Sequence, residues 1–331
     1  MAVGILRGMI LAGIDEAGYG PLLGPLVVGC CAFELPWADP LGPLPCLWKR
    51  LRKLVSKSRL RSGNKLHIND SKLVYSPATG IRELERSILT LACAADIHAQ
   101  QLDELLACVA SHVLGDLGQY PWYAAAEQEP FPLENNPRSI QLMANALRLE
   151  MRRTETRCVH LSARVVLERE LNRMIQATRN KASTLFCTTA IHLEELLRTF
   201  GQQQLVIICD QQGGREHYGS LLRLMFEPWS LQVISETDGR AEYRLLRGSD
   251  VVRLIFTHKA EAQCLPVAVA SMLSKYLREA LMHRFNRFWK QYLPELEPTA
   301  GYYTDGERFL RDIAAKRAEL GIADEQLVRC R

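Results

Sequence analysis

Acidic side chains end apolar runs at three separate places in the sequence. Asp15 and Glu16 are adjacent and end the first run, Asp210 ends a second, and Glu261 lies between a third run and a long helical pattern. Strand ends at one edge of an α/β sheet are where sites are built, and four carboxylates gathered there repel each other unless cations bind. Hard ions such as Mg²⁺ or Mn²⁺ prefer oxygen ligands. Two of them about 3.5–4 Å apart can promote hydrolysis of a phosphodiester.

The spacing alone leaves a second interpretation open, in which each acid is an ordinary turn residue. Glycines beside the first pair favour a site. The stretch GIDEAGYGPLLGP, from Gly13 to Pro25, places Gly18 and Gly20 directly after the carboxylates. Glycine lets a bulky ligand such as a phosphate backbone approach the main chain closely.

The elements that must position these residues alternate between strands and helices, which predicts an α/β fold. Apolar runs and helical spacing predict strands over Met9–Ile14, Leu26–Phe33, Gln204–Cys209, Leu231–Ser235, Tyr243–Leu246 and Val251–Thr257, and helices starting at Ser76, over most of Leu167–Phe200 and over Ala262–Trp289.

The composition of the 331 residues is that of a globular protein, with 47% hydrophobic and 24% charged residues and a net charge of +4. None of the ten cysteines forms a CxxC pair, so zinc spacing is absent and reduced core cysteines in the cytoplasm are expected. The apolar runs are too short to span a bilayer. We expect no membrane association and a monomer.

Six stretches resemble, in order, motifs of type 2 ribonucleases H, the ribonuclease HII and HIII family. GIDEAGYGPLLGPLVVG is similar to the family's opening DEAGRGPLAGPVV. The other five are similar to its D-S-K motif, to the helix before its third carboxylate, to the strand that ends in that carboxylate, to its K-A-D-A helix and to its late G-Y-x-T motif. In this sequence they are Asn69–Leu73, Asn172–Ala182 with Ile207–Asp210, His258–Glu279 and Gly301–Thr304.

The resemblance implies a single ribonuclease H-like domain over residues 1–331, with a mixed central sheet flanked by helices. It implies a metal-dependent endonuclease that hydrolyses the RNA strand of RNA–DNA hybrids, or cuts at ribonucleotides in DNA, leaving 3′-hydroxyl and 5′-phosphate ends. Two Mg²⁺ or Mn²⁺ ions would be held by the four carboxylates, which are Asp15, Glu16, Asp210 and Glu261.

The same resemblance assigns contacts with nucleic acid. Gly18, Tyr19 and Gly20 would face the ribose 2′-hydroxyl and the RNA-to-DNA junction. Ser71 and Lys72 would contact phosphate, with Lys259 as a weaker candidate for the same role, and Tyr302 would stack on a sugar near the cut.

Two positions depart from the family pattern. Glu261 is one methylene longer than the family's usual aspartate, and Tyr19 replaces the arginine of G-R-G. A neutral ring cannot supply the donors of a guanidinium. We therefore expect cleavage of longer hybrid stretches, with single embedded ribonucleotides cut less efficiently.

The extra length predicts two insertions, one basic at about 37–69 and one rich in proline and aromatic residues at about 108–164. The basic segment is interpreted either as an arm that binds the hybrid or as a surface insertion without a role in binding. Trp122 and Tyr123 could stack on bases, but buried loop anchors are favoured.

One alternative is that the protein binds nucleic acid on the same fold and is catalytically weak or inactive. Tyr19 and Glu261 favour this alternative. Another is a different metal nuclease that cuts DNA. The four retained carboxylates argue against the first, and the glycines argue weakly against the second.

Overall fold

A seven-stranded sheet forms the centre of the protein. The structure, a computed structural model, describes residues 8–36, 39–60, 63–125 and 129–330. The strands in this part of the chain, including a separate short pair, are β1 (Met9–Ala17), β2 (Leu26–Leu35), β3 (Val55–Ser56), β4 (Leu66–His67), β5 (Arg157–Val166), β6 (Gln204–Asp210), β7 (Ser230–Thr237), β8 (Arg240–Arg247) and β9 (Asp250–Thr257).

The order of strands in the main sheet is β5-β2-β1-β6-β9-β8-β7. Strands β1, β6 and β9 are parallel neighbours in the middle, whereas both flanks are antiparallel. The predicted mixed central sheet is confirmed. Because β1, β6 and β9 are parallel, their carboxyl ends meet at one edge.

Helices surround this sheet. In the described chain they are α1 (Leu47–Arg50), α2 (Ser71–Val74), α3 (Arg82–Ala94), α4 (Leu102–Val109), α5 (Leu114–Leu117), α6 (Pro137–Arg153), α7 (Glu168–Thr178), α8 (Lys181–Phe200), α9 (Gly219–Met225), α10 (Ala260–Gln263), α11 (Leu265–Tyr292), α12 (Tyr303–Asp312), α13 (Ala314–Glu319) and α14 (Asp324–Leu327), with 3₁₀ turns at Ser111–Val113 and Pro121–Tyr123.

Two hydrophobic cores lie on opposite faces of the sheet. Along β1, Met9 and Leu11 enter the core beneath α3 and α11, while Ile10 and Ile14 enter the core beneath α8. Successive side chains of a strand point to opposite faces. The continuous apolar run of β1 therefore matches a strand covered on both sides, and the predicted flanking helices are confirmed.

The long helix α11 lies unusually close to the strand that carries the first carboxylate pair. A Cβ atom on Gly13 would lie 2.2 Å from the backbone nitrogen of Val267, and one on Gly29 would lie 2.5 Å from the carbonyl oxygen of Ala270. These two glycines are therefore required for the approach of α11 to the sheet.

The proline- and aromatic-rich stretch occupies only the first part of the predicted insertion at about 108–164. Residues Pro137–Arg153 form α6, and β5 pairs with β2 as the outer strand of the sheet. The described part of the first half consists of short helical turns, among them α5, joined by irregular backbone. Its residues Trp122 and Tyr123 are fully buried, which confirms that they are loop anchors and excludes stacking on bases.

Candidate active site

Asp15 and Glu16 both lie within β1, which continues to Ala17 instead of ending at Ile14. The hydroxyl of Ser274 on α11 donates a hydrogen bond to the carbonyl oxygen of Asp15 at 3.1 Å. The amide of Glu16 donates to Oδ1 of Asp15 at 2.7 Å. The sheet on one side and α11 on the other thus fix the backbone of the first carboxylate pair.

Asp210 ends β6, the parallel neighbour of β1, with Ile14 paired to Cys209 in the register. It therefore lies beside Asp15 at the same edge of the sheet. The amide of Ala260 donates to Oδ1 of Asp210 at 3.0 Å, and Glu261 follows on the one-turn helix α10. The structure brings all four predicted carboxylates together, and they are called the carboxylate cluster below.

Burial and mutual repulsion both raise the pKa values of the two carboxyls of β1. Burial, followed by the charges of Glu16 and Asp210, raises the pKa of Asp15 well above its usual range. Burial and the charge of Asp210 raise the pKa of Glu16 to about 8, against which the nearby Lys72 acts. Groups with such shifts are costly to a fold and are concentrated at functional sites.

The pKa values of the other two carboxyls, on Asp210 and Glu261, are also raised. Burial and then the charge of Asp210 raise the pKa of Glu261 to about 7. Burial raises the pKa of Asp210, although the hydrogen bond from Ala260 opposes this rise. All four groups therefore resist ionisation in the absence of a compensating positive charge.

A divalent cation fits the chemistry of the carboxylate cluster. Among the described residues, Oε2 of Glu16 and Oε2 of Glu261 are buried without a hydrogen-bond partner. Buried carboxylate oxygens need a partner, and hard cations such as Mg²⁺ and Mn²⁺ supply one. As they are placed here, no group of three or more His, Cys, Asp or Glu side chains within the described chain has the geometry to hold a metal ion.

Gly18 and Gly20, the two glycines predicted to contact substrate, have different surroundings in the glycine-rich loop after β1. Gly18 has a φ of +85°, and a Cβ atom there would lie 2.5 Å from the carbonyl oxygen of Pro25 and 2.8 Å from the Arg278 side chain. Gly20 is exposed, and a Cβ atom there would meet no atom within 4 Å. Gly18 is needed to shape the loop, whereas Gly20 leaves its outer side open.

Two buried arginines hold this loop in place, and neither was predicted. Arg278 donates to the carbonyl oxygens of Leu23 at 3.2 Å and Ala300 at 2.9 Å. Arg329 donates to those of Tyr19 at 3.1 Å and Gly24 at 3.3 Å. For Arg278 a signal exists in the sequence, because Ser271, Ser274 and Arg278 share one face of α11 at helical spacing.

Tyr19 lies over the start of α8. Its ring centroid is 5.2 Å from Nζ of Lys181, close enough for a cation–π contact. A Cβ atom on Gly213, in the turn after β6, would lie 3.2 Å from the Tyr19 hydroxyl. Tyr19 therefore packs between two parts of the rim of the carboxylate cluster.

The two residues predicted from the D-S-K motif have different surroundings. Ser71 is buried, and its hydroxyl accepts a hydrogen bond from the hydroxyl of Ser271 at 3.0 Å. Its position in the wall of the site differs from the exposed position expected for a phosphate contact. Lys72 is exposed, and its charge acts on Glu16.

The remaining predicted contacts lie on the rim. Lys259 is exposed in the left-handed backbone region, with a φ of +53°. Tyr302 is 51% exposed, and its ring lies 5.6 Å from the guanidinium of Arg278. Both side chains are accessible to a ligand, and Tyr302 adjoins the arginine that holds the glycine-rich loop.

Comparison with known proteins finds a partial relative. The chain is 33% identical over 87 residues to ribonuclease HII of Gluconobacter oxydans (strain 621H), a match that covers 26% of this chain and 41% of that protein. It therefore spans about two fifths of the curated relative that it matches, and this part resembles a type 2 ribonuclease H. No family model matches the chain.

Two solved structures extend over more of the chain at lower identity. The PCNA:RNase HII complex from Archaeoglobus fulgidus gives a TM-score of 0.43 at 16% identity, covering 98% of this chain and 95% of that one. Bst-RNase HIII in complex with Mn²⁺ gives a TM-score of 0.42 at 16% identity, covering 98% of this chain and 67% of that one. Among the described residues no helix has the length and apolar character of a membrane span.

Proposed function

We propose that the protein is a metal-dependent endoribonuclease that cleaves the RNA strand of RNA–DNA hybrids. The observation that carries this proposal is the carboxylate cluster, with buried, unpartnered oxygens on Glu16 and Glu261. The partial likeness to a ribonuclease HII supports it. The products would be RNA ends with a 3′-hydroxyl and a 5′-phosphate.

In this mechanism Asp15, Glu16, Asp210 and Glu261 hold two Mg²⁺ or Mn²⁺ ions. When bound, the ions supply Lewis acidity to the attacking water and to the leaving oxygen of the phosphodiester. Asp15 on β1 lies beside Asp210 on the central strand β6, and both would be ligands of the ions. The fixed backbone of β1 and the hydrogen bond from Ala260 to Asp210 keep two of the ligands in position.

Preference for RNA would come from the glycine-rich loop. The open side of Gly20 and the turn at Gly18 allow backbone groups to approach a ribose 2′-hydroxyl, the group that distinguishes RNA from DNA. Tyr302 would stack on a sugar near the cut. Lys72 and Lys259 would contact phosphates on either side of the carboxylate cluster.

Tyr19 shapes the substrate preference in this proposal. Its ring faces Lys181 and offers no donors comparable to a guanidinium. Uniform hybrid tracts would therefore be cut faster than a single ribonucleotide embedded in DNA. Replacing Tyr19 by arginine should increase the relative rate at the single ribonucleotide.

A second candidate is a protein that binds nucleic acid on the same fold without cleaving it. Tyr19 and the longer Glu261 favour this alternative, because both alter groups close to the reacting phosphate. Against it, retaining four mutually repelling carboxyls, two of them buried and two half-buried, is costly unless they bind cations.

Cleavage of three labelled duplexes tests the proposal, in Mg²⁺ and in Mn²⁺. One is a uniform RNA–DNA hybrid, one carries a single ribonucleotide in DNA, and one is all DNA. The proposal predicts cleavage of the hybrid, weaker cleavage at the single ribonucleotide and none of the DNA. Tight hybrid binding without cleavage in either metal would instead establish the second candidate.

A further inference from the structure

The basic segment between β2 and α2 is folded against the carboxylate cluster. The sequence from Pro40 to Asn69 contains eight lysines and arginines and no acidic residue. Its described parts, 40–60 and 63–69, include α1 and the short parallel pair β3 and β4. One of the eight cations, Arg61, lies outside the described residues. A cationic stretch with no internal acids suits a polyanion.

Lys57 ties this segment to the site. Its Nζ donates to the carbonyl oxygen of Ala262 at 2.6 Å, one residue beyond Glu261. The same Nζ lies 4.2 Å from the ring centroid of Trp48, whose indole nitrogen donates to the carbonyl oxygen of Ile68 at 2.9 Å. The ammonium thus joins the basic segment to the helix that carries Glu261.

The backbone of Lys57 is fixed as well. Its carbonyl oxygen accepts a hydrogen bond from Nδ2 of Asn69 at 2.9 Å and lies 3.0 Å from Nε2 of His67. Asn69 directly precedes the Asp70–Lys72 part of the rim. The basic segment is therefore held at both walls of the carboxylate cluster, on the side of Glu261 and on the side of Lys72.

Away from this anchor, the segment presents cations to solvent. Arg52, Lys53 and Arg59 are exposed. The charges of the first two act on Glu150, which is already bonded through both oxygens to Arg153 at 2.8 and 2.7 Å. Arg59 is 63% exposed and its contact with Glu83 is long, at 3.7 Å. Such a pair is weak and can be exchanged for a phosphate.

We infer that Arg52, Lys53 and Arg59 form a second contact surface for the phosphate backbone of the duplex, beyond the nucleotides at the carboxylate cluster; this inference deepens the proposed function and rests on it. The surface, here called the basic track, starts at the Lys57 anchor and leads away from the cluster. It would recognise duplex phosphate by charge, independently of base sequence and of the 2′-hydroxyl.

The length of the basic track is comparable to that of a few nucleotides along one strand of a duplex. From Lys53 to Arg59 the chain covers six residues, which span at most about 20 Å when extended. A duplex strand rises about 3.4 Å per nucleotide, so this upper limit corresponds to roughly six steps. Only Val55–Ser56 are a strand and residues 51–54 form a turn, so the cations lie within this limit and would contact phosphates within these few steps.

The test compares two triple variants. The first combines Arg52→Gln, Lys53→Gln and Arg59→Gln, and the matched control combines Arg198→Gln, Arg223→Gln and Lys290→Gln, which remove the same charge from exposed sites on other elements. Binding of a labelled RNA–DNA hybrid of about 24 base pairs, and of one of about 8, is measured in EDTA over a range of salt concentrations. Thermal unfolding shows that both variants fold.

The inference predicts that the first variant binds the long hybrid about tenfold more weakly, and that its plot of log K against log salt is shallower by about 2 to 3. Binding of the short hybrid and all binding by the control variant should match the unaltered protein. An all-DNA duplex of the long length should lose affinity in the same way. An unchanged salt slope in the first variant contradicts the inference.

Cleavage by the unaltered protein separates this outcome from the proposed function. If the hybrid is cleaved in Mg²⁺ or Mn²⁺ while the first variant keeps the full salt slope, the basic track is refuted and the ribonuclease proposal stands. If the slope falls but no duplex is cleaved, the basic track is established and the ribonuclease proposal fails.

Discussion

The backbone amide of Ala260 donates a hydrogen bond to Oδ1 of Asp210 across 3.0 Å. It links the end of β6 to the start of α10, one residue before Glu261, although the two residues are 50 positions apart in the sequence. Through this bond the carboxyl of Asp210 sets the position of the backbone that presents Glu261. A change at Asp210 therefore affects two of the four carboxyls.

Replacing Asp15 with asparagine should abolish cleavage and preserve hybrid binding. Asn removes a charge from the carboxylate cluster while keeping the side-chain shape. Cleavage should fall about 100-fold or more, the scale of a lost electrostatic contact with a transition state. Single-turnover cleavage and hybrid affinity in EDTA measure the two effects. Asp116→Asn, at an exposed position on α5, is the control and should cleave normally.

The protein without divalent ions should lose stability as the pH rises from about 5 to about 8. The pKa values of Glu16, about 8, and Glu261, about 7, lie above the ordinary value of 4.5. Protonation therefore favours the folded state, and its contribution is complete below pH 4.5 and lost as the pH rises through the folded-state values. Chemical unfolding in EDTA should show a decrease of at least about 1 kcal/mol.

Glu16→Gln should flatten this pH dependence, whereas Glu227→Gln, at an exposed position, should leave it unchanged. Addition of Mg²⁺ or Mn²⁺ at pH 8 should restore stability, because a bound cation offsets the repulsion among the carboxylates. A stability that is independent of pH between 5 and 8 in EDTA contradicts the electrostatic description of the cluster.

Gly18→Ala should lower the stability of the protein, whereas Gly20→Ala should leave stability nearly unchanged and affect substrate binding. At Gly18 the φ of +85° and the contact with Pro25 oppose a side chain, so Gly18→Ala should lower the free energy of unfolding by roughly 1–3 kcal/mol. Gly20→Ala should change it by less than about 0.5 kcal/mol.

Gly20→Ala should nevertheless weaken hybrid binding, because the added methyl group occupies the open side of the loop. Chemical unfolding and hybrid affinity are to be measured on both variants. Equal destabilisation by the two substitutions would disprove the distinction drawn between Gly18 and Gly20.

Tyr302→Ala should weaken hybrid binding about tenfold without changing stability. The ring is half exposed next to Arg278, which holds the glycine-rich loop, and stacking on a nucleotide contributes about 1–3 kcal/mol. The control is Tyr292→Ala, which removes a ring of similar exposure (41%) at the end of α11. If the two variants bind the hybrid equally well, Tyr302 has no role in stacking.

Much of the sheet and the acidic part of the site can be predicted from the sequence. Strands β1, β2, β6 and β9 are apolar runs bounded by glycine or charge, a pattern that indicates buried strands. Three of these runs stand next to the carboxylates that meet in the structure. Parallel strand order follows from the interleaved helices, so the convergence of Asp15 and Asp210 needs no knowledge of side-chain contacts.

Local sequence patterns predict the wrong boundaries for two helices. A helix was predicted to start at Ser76, but α3 starts at Arg82, because Ser76 bonds with Thr79 in a turn that closes at Gly80. The predicted helix over Ala262–Trp289 is broken by an extended Cys264, with Pro266 in the first turn of α11. Side-chain hydrogen bonds within a turn compete with helix formation.

Contacts between residues that are far apart in the sequence cannot be predicted from the sequence pattern. Ser71 meets Ser271 across 200 positions, and Arg329 reaches Tyr19 across 310. Each pairing depends on the final packing of α2, α11 and the last residues, and no spacing within one segment encodes it. The buried roles of Ser71 and Arg329 therefore emerge only from the three-dimensional structure.

The hydrogen bonds from Arg329 to Gly24 and Tyr19 join segments about 300 positions apart, and this separation determines when the glycine-rich loop can form during folding. Arg329 is synthesised 310 residues after Tyr19, so the loop stays without this support until the segment that carries Arg329 has been synthesised and has packed. Contacts of such long range form late because much chain must first be ordered. Incomplete chains on the ribosome thus carry strand β1 and its acids without a finished site.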